Sequence, residues 1–319
     1  MVLGVVLLLH LGCSGGATID ASDGGTEETV LAADATGKTD AVAGEVAETN
    51  DVVAMTETAV TLDMGSGDVG QPPPPPHLGP PGPGLVATPS IDGPITTGNG
   101  KAVLLPPTFD LSKVGYVEEE FFISGEAVSY TSEQPLTADG FWELSAAQSR
   151  PYTTRVIVRR PAVAEDFGGT VIVEWFNVSA GMDAAPAWTF VHNQIIRERA
   201  AWVGVSAQID GIEGDGSTLA SMMALKNVDP IRYGPLEHPG DDFSYDIFSQ
   251  TGAAVWFEAT KLLGGLEPTL VLATGESQSA IRLTTYVNGV APLVDVYDGY
   301  LVHSRAGFGV PLIESVSPP

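Results

Sequence analysis

The chain has 319 residues and carries 40 acidic against 14 basic side chains, a net charge of −26. That balance excludes nucleic acid as a partner, because binding a phosphate backbone needs clustered Lys and Arg. A single cysteine, Cys13, excludes an internal disulfide and a Cys-based zinc site.

Charge and aromatics are unevenly spread. Residues 1–100 hold 13 acids, one Lys and no Phe, Tyr or Trp, whereas residues 101–319 hold every aromatic side chain. A segment without aromatics buries too little surface to offset the entropy of ordering it. The expected organisation is a signal segment at 1–13, a disordered acidic and Pro-rich tether at 14–100, and one α/β domain at 101–319.

Met1–Leu9 is an apolar run, shorter than the ~20 residues a membrane-spanning helix needs and of the length of a signal-peptide core. His10-Leu11-Gly12-Cys13 resembles the bacterial lipobox, in which Cys follows a small residue and receives the lipid. His10 stands where that pattern has Leu, and no Lys or Arg precedes the apolar run. The resemblance implies an exported protein attached to the membrane through a lipid on Cys13, facing the periplasm or the cell surface. Beyond it, Ser14–Gly70 reads as a self-repelling spacer, and Pro72–Pro76 with Pro80, Pro81 and Pro83 favours polyproline II.

From Lys101 onward, strand and helix patterns alternate. Strands are expected at Gly115–Ile123, Tyr152–Arg160, Thr170–Phe176, Trp202–Ala207, Thr269–Ala273 and Val296–His303, all rich in β-branched and aromatic residues. Helices are expected at Ala187–Arg199, Tyr245–Leu263 and Ser279–Asn288, and Gln208–Ser244 reads as a long loop. Such alternation predicts a mainly parallel sheet with helices on both faces, and ligands at the carboxyl ends of its strands.

One motif carries chemistry. Thr269–Ala273 runs into Thr274-Gly275-Glu276-Ser277-Gln278-Ser279 and then into a helix. This is the setting of a nucleophile elbow, G-x-S-x-G, whose tight turn lifts a serine hydroxyl above the sheet. Ser279 replaces the second glycine, a departure that its small size makes tolerable. An acyl-transfer elbow also needs two N–H donors facing the developing oxyanion. One falls to Gln278, and the other to the backbone of Asn177 or its immediate neighbour, in the loop after the Thr170–Phe176 strand.

Five blocks then occur in order: V-I-V-E-W-F-N-V-S-A-G-M-D-A-A-P-A-W-T-F (171–190), W-V-G-V-S-A-Q (202–208), D-P-I-R-Y-G-P-L-E-H-P-G-D-D-F-S-Y-D-I-F-S-Q (229–250), G-E-S-Q-S-A (275–280) and D-G-Y-L-V-H-S-R (298–305). Together they resemble the bacterial "alpha/beta hydrolase domain-containing" family marked by a G-E-S-Q-S-A elbow. The resemblance spans about residues 105–305. It implies an α/β-hydrolase fold with Ser277 as nucleophile and names no substrate.

A serine nucleophile needs a base and an orienting carboxylate, which in this fold follow it in the order acid, then His. Of the five His residues, His10 falls in the signal, His77 in the Pro-rich rod, His192 in a helix and His238 in a loop. His303, ending the last expected strand, is the one base to entertain within the chain. Asp298 starts that same strand, at the opposite end of the sheet, and Asp242 and Asp246 are expected to bond the loop and helix start. Only 42 residues follow Ser277 (319 − 277). The expectation is a family member cut before its acid and base, with the C-terminal strands missing.

The function expected is an exported serine hydrolase that cleaves a small-molecule carboxylic ester through an acyl-enzyme on Ser277, with no cofactor and no metal. Two alternatives stay open: a non-catalytic binding module on a hydrolase scaffold, and an inactive fragment of a longer enzyme. If Cys13 carries the lipid, Cys13→Ser will move the protein from the membrane fraction into the periplasm or medium. An unchanged fractionation would overturn the anchor.

Overall fold

A computed structural model of the protein describes residues 78–214 and 222–312. The expected signal, Cys13, His10, His77 and the tether as far as residue 77 lie outside the described residues. Seven strands form one sheet: β1 (Ser90–Asp92), β2 (Tyr116–Thr131), β3 (Ser145–Pro161), β4 (Thr170–Trp175), β5 (Ala201–Val205), β6 (Leu270–Glu276) and β7 (Gly299–His303). Their order is β1-β2-β3-β5-β4-β6-β7. Pairing is antiparallel from β1 to β5 and parallel across β5, β4, β6 and β7. All strands but β1 and β3 therefore run the same way, and the parallel set ends along one rim.

The helices are α1 (Pro186–Arg197), α2 (Ile209–Glu213), α3 (Leu225–Val228), α4 (Pro230–Tyr233), α5 (Ser244–Phe257), α6 (Ala259–Leu262), α7 (Gln278–Thr285) and α8 (Ala291–Val294). Alternation along β4 explains why both sheet faces are covered. Val171, Val173 and Trp175 join the core beneath α5, with the Phe248 ring tilted against Trp175 at 4.8 Å. Ile172 packs on the other face with Trp188 of α1, Trp202 and Phe176. On that face the Arg159 guanidinium lies 4.5 Å from the Trp188 ring and 4.8 Å from that of Trp202, so cation–π attraction helps to hold a buried charge. This is the α/β-hydrolase fold.

Several elements depart from their expected bounds. The loop at 208–244 contains α2, α3 and α4, each too short for its apolar spacing to show as a period. The long helix breaks at Glu258 into α5 and α6, and Gly264 and Gly265, both at positive φ, end it as expected. Helix α7 begins one residue early and continues as a π-turn over Tyr286–Val290.

The domain boundary also moves. Residues 90–100, assigned to the tether by composition, belong to the folded domain. β1 pairs with Phe122–Ser124 of β2, and Val86 and Ile91 pack on the core. Arg232 donates to the carbonyls of Thr97 (2.6 Å) and Ile95 (2.8 Å), and Asn99 N–H donates to Asp229 (2.6 Å). Aliphatic side chains and backbone groups make these contacts, so a count of aromatics does not register them.

Helix α1 has no side-chain cap of its own at Ala185. Glu174, the one charge in β4, supplies it from the sheet. Its carboxylate accepts N–H bonds from Ala187 (2.7 Å) and Trp188 (2.9 Å) and from the Trp202 indole (2.8 Å). Burial nevertheless pushes the Glu174 carboxyl up to about 7, outweighing the three donors. Between the ordinary carboxylate range and about 7, the folded state keeps a proton that the unfolded chain has lost, so this group's stabilisation falls as pH rises through that window. Glu174→Gln turns an NH₂ toward backbone donors and should cost about 1–3 kcal/mol, at roughly 2–4 °C of melting temperature per kcal/mol. The wild-type advantage should shrink between pH 5 and pH 8 in thermal melts. An advantage that widens with pH would contradict the assignment.

Candidate active site

The rim where β4, β5, β6 and β7 end carries the residues singled out in the sequence. At the end of β6 the chain turns into α7 within one residue, and that residue is Ser277, at φ 54° and ψ −114°. A positive φ is a costly conformation for a side-chain-bearing residue. At Gly275 the two elements come close. A Cβ there would sit 3.0 Å from the Ser279 backbone and 3.2 Å from the Ala280 nitrogen, so a side chain would require strand and helix to part by a few tenths of an ångström.

Ser279, in place of the second glycine, is fully buried. Its hydroxyl donates to Glu276 O (2.9 Å) and accepts from Glu276 N (3.1 Å), closing the turn on itself. Ser277 N–H donates to His303 O across to β7 (3.0 Å), and Ser277 O accepts from Ile281 N (3.1 Å). The Ser277 side chain is half-buried, and its Oγ makes no hydrogen bond with any described residue. A strand, a one-residue turn and a helix thus meet at Ser277, and among the described residues its hydroxyl has no partner.

Asn177 lies beside it, and of the two amides expected there its own is engaged. Its own N–H donates to Ala184 O (3.0 Å) and its carbonyl accepts from Ala184 N (2.9 Å), so its amide is not available to an oxyanion. Its side chain ties the two loops instead. Nδ2 donates to Glu276 O (2.9 Å) and Oδ1 accepts from Ser179 N (2.9 Å). The immediate neighbour, Val178, has an N–H that no described residue accepts. Gln278 opens α7, where an N–H has no partner within its helix.

The Gln278 side chain leads to residues that the sequence reading passed over. Its Nε2 donates to Gln208 Oε1 (3.0 Å), which also accepts from the Trp175 indole (3.1 Å). Gln208 Nε2 donates to Asp241 (3.0 Å), and Asp241 accepts from Arg282 (2.7 Å) and Ile209 N (2.8 Å). Gln208 and Asp241 stand inside the quoted blocks 202–208 and 229–250. Position at a strand end was the signal that could have marked Gln208.

No described histidine serves Ser277. His192 packs between Phe109 and Trp188, at 5.3 and 5.8 Å. His238 is buried, and both its nitrogens are engaged: Nδ1 accepts from Gly240 N (3.2 Å), so Nε2 donates to Ala207 O (3.0 Å). Burial lowers its pKa, which keeps the ring neutral. His303 is exposed at the end of β7, with its ring 6.5 Å from that of Phe190, its Nδ1 3.3 Å from Ser304 Oγ, and no hydrogen bond to Ser277 Oγ. Asp298 accepts from Val271 N (2.6 Å) at the opposite end of the sheet, and Asp246 bonds Val128 N (2.9 Å) and Gln250 (2.8 Å). Among the described residues, no group of three or more His, Cys, Asp or Glu side chains forms a metal site.

The family model described as "Alpha/beta hydrolase domain" matches residues 91–319. No curated protein matches the sequence. Among solved structures, the rice cell wall degrading esterase LipA from Xanthomonas oryzae aligns at 12% identity and a TM-score of 0.28. That alignment covers 54% of this chain and 38% of LipA. A glucuronoyl esterase from Solibacter usitatus aligns at 11% identity and a TM-score of 0.27, over 64% of this chain and 50% of that one. The chain thus spans half or less of the length of either.

Gly275→Ala tests the packing argument. Forcing a methyl between β6 and α7 should cost about 1–3 kcal/mol, as overpacking does, and lower the melting temperature by several degrees. A melt unchanged within error would show that the elbow has slack.

Proposed function

The chain belongs to the alpha/beta hydrolase domain family, and on that premise we propose that it is an exported serine hydrolase acting on small-molecule carboxylic esters. The observation that carries this reading is Ser277, held at φ 54° between β6 and α7 with an unengaged hydroxyl. What supports the reading is the combination of that φ with ψ −114°, at the junction of β6 and α7 where an elbow serine stands.

In the reaction, Ser277 Oγ attacks the ester carbonyl as its proton passes to a base, giving a tetrahedral intermediate with charge on the former carbonyl oxygen. The N–H groups of Gln278 and Val178 receive that charge. Collapse breaks the bond to the alcohol, which leaves with the proton held by the base, and the acyl group stays on Ser277. Water, deprotonated by the same base, then releases the acid and restores the hydroxyl.

No described side chain is bonded to the Ser277 hydroxyl as its base. On this reading base and acid are supplied by a continuation of the chain, in the order acid and then His, and Cys13 provides the lipid anchor. The free Ser277 hydroxyl also suits the rival reading, a hydrolase scaffold used for binding alone.

The test is hydrolysis of p-nitrophenyl butyrate. The 319-residue chain should turn it over barely above background, because a serine without its base is a weak nucleophile. A chain continued through the next strands should turn it over, and Ser277→Ala in that longer form should lower kcat by a factor on the order of 10⁶. Equal turnover with and without Ser277 would refute the proposal. Ser277-dependent turnover by the 319-residue chain would instead make His303 the base.

A further inference from the structure

Three exposed apolar side chains lie at the end of the sheet opposite Ser277. Leu78 is 67% exposed, Phe257 at the end of α5 48%, and Leu293 of α8 39%. Hydrogen bonds tie their segments together. Gly79 N–H donates to Asp298 (2.5 Å), which also accepts from Val271 N at the start of β6 (2.6 Å). The Trp256 indole donates to the carbonyl of Val296 (3.0 Å), and α8 leads through Val294 into the same approach to β7. Ser277 stands six residues beyond Val271 along β6, about 20 Å away. Little free charge interrupts this pole. Glu258 pairs with Lys261 (3.2 Å), Asp298 is held by two N–H groups, and Asp295 is half-buried.

We propose that this pole is a docking face for a zwitterionic lipid surface, on which the domain rests with Ser277 turned toward the water. It rests on the anchor reading of Cys13 for the identity of its partner. Residues 1–77, which include Cys13, join the domain at Leu78, within the face itself. Attachment through that chain raises the effective concentration of the face at the bilayer, so a contact too weak to hold an untethered domain is occupied. Leucine and phenylalanine side chains enter the boundary between headgroups and acyl chains. A chain of net charge −26 is repelled by an anionic surface, which leaves a neutral one as the partner. Substrate then reaches Ser277 from solution and not from the bilayer beneath the domain.

The sole cysteine makes a direct test possible. Cys13 of the 319-residue chain is coupled to a maleimide lipid in phosphatidylcholine nanodiscs, with and without a gadolinium-chelate lipid, and methyl NMR signals are followed. Relaxation by gadolinium should be roughly fivefold or more faster at Leu78 and Leu293 than at Val178 on the rim, given the separation of about 20 Å. Phe257→Asp sets a carboxylate where the acyl chains begin, and should bring these rates to within about twofold of each other. Leu78→Asp, read at Leu293, should do the same and serves if Phe257→Asp does not fold.

Equal rates at the two ends of the sheet, faster relaxation at Val178, or a preference that survives both substitutions would each overturn the docking face. So would a concentration-dependent dimer, formed without lipid and abolished by Phe257→Asp, because a second copy would then cover the pole. The anchor reading fails separately. Cellular fractionation unchanged by Cys13→Ser would sink the anchor and leave a positive nanodisc result standing, whereas equal rates on nanodiscs would sink the docking face alone.

Discussion

Arg155 is fully buried in the middle of β3, and the arrangement of the rim follows from the need to keep its charge partnered. Withdrawing a guanidinium from water costs several kcal/mol, and removing one partner of such a group is far more damaging than never having buried it. Its three nitrogens reach three different segments. Nη2 donates to Asp183 (2.6 Å), Nε to Ser206 (3.0 Å) and Nη1 to the carbonyl of Val103 (2.6 Å), with the Glu120 carboxylate at 3.6 Å. Burial alone would lower the Arg155 pKa, but Asp183 and Glu120 more than offset it and the pKa is raised. Glu120 is shared with Arg232 and accepts the Tyr233 hydroxyl (2.9 Å), and Arg232 holds the strap at Ile95 and Thr97. One buried cation thereby fixes the strap before β2, the loop after β4 and the end of β5.

Two of those segments frame the elbow. Asp183 lies in the loop that begins at Asn177, and Asn177 donates to Glu276, the residue before the nucleophile. Ser206 stands two residues before Gln208, which holds the side chain of Gln278, the residue after it. Gly211 is required here, since a Cβ at that position would lie 2.0 Å from Asp183 Oδ1. Ser277 and the backbone on either side of it are therefore braced by buried polar groups, the arrangement that gives a site a single geometry. None of these bracing groups touches Ser277 Oγ, so they position the site without entering the chemistry.

What the sequence made legible follows the range of each interaction. Strands such as Thr170–Trp175 and the elbow at Gly275–Ser279 are written in contiguous residues, through β-branched density and small side chains at fixed spacing, and both stand where expected. Glu174 was visible as the one charge in an apolar run, but its role as the cap of α1 depends on a helix that starts twelve residues later. For the loop after β4 the residues left two adjacent amides open, Asn177 and its neighbour, because which of them is engaged depends on the return of the chain at Ala184. Gln208, Asp241 and Arg282 come together over separations of 33 and 41 residues, and no local pattern announces that. Residues 90–100 were misassigned for a similar reason: their partners, Arg232 and Asp229, lie more than a hundred residues away.

The same distinction explains how a strained elbow stands without a base among the described residues. The turn that holds it is closed by the approach of Gly275 to Ser279 and Ala280, by the Ser279 hydroxyl on Glu276, and by a long-range bond from Asn177 to Glu276. Each of these forms whether or not an imidazole approaches Ser277. Of the described histidines, His192 lies between two rings and His238 has both nitrogens bonded, while His303 is exposed and makes no bond to the Ser277 hydroxyl. Geometry that raises a nucleophile and chemistry that activates it are separable requirements, met by different parts of an α/β-hydrolase. The strain at Ser277 is thus evidence for the first requirement alone, and activity depends on a proton acceptor brought to the rim independently of the elbow.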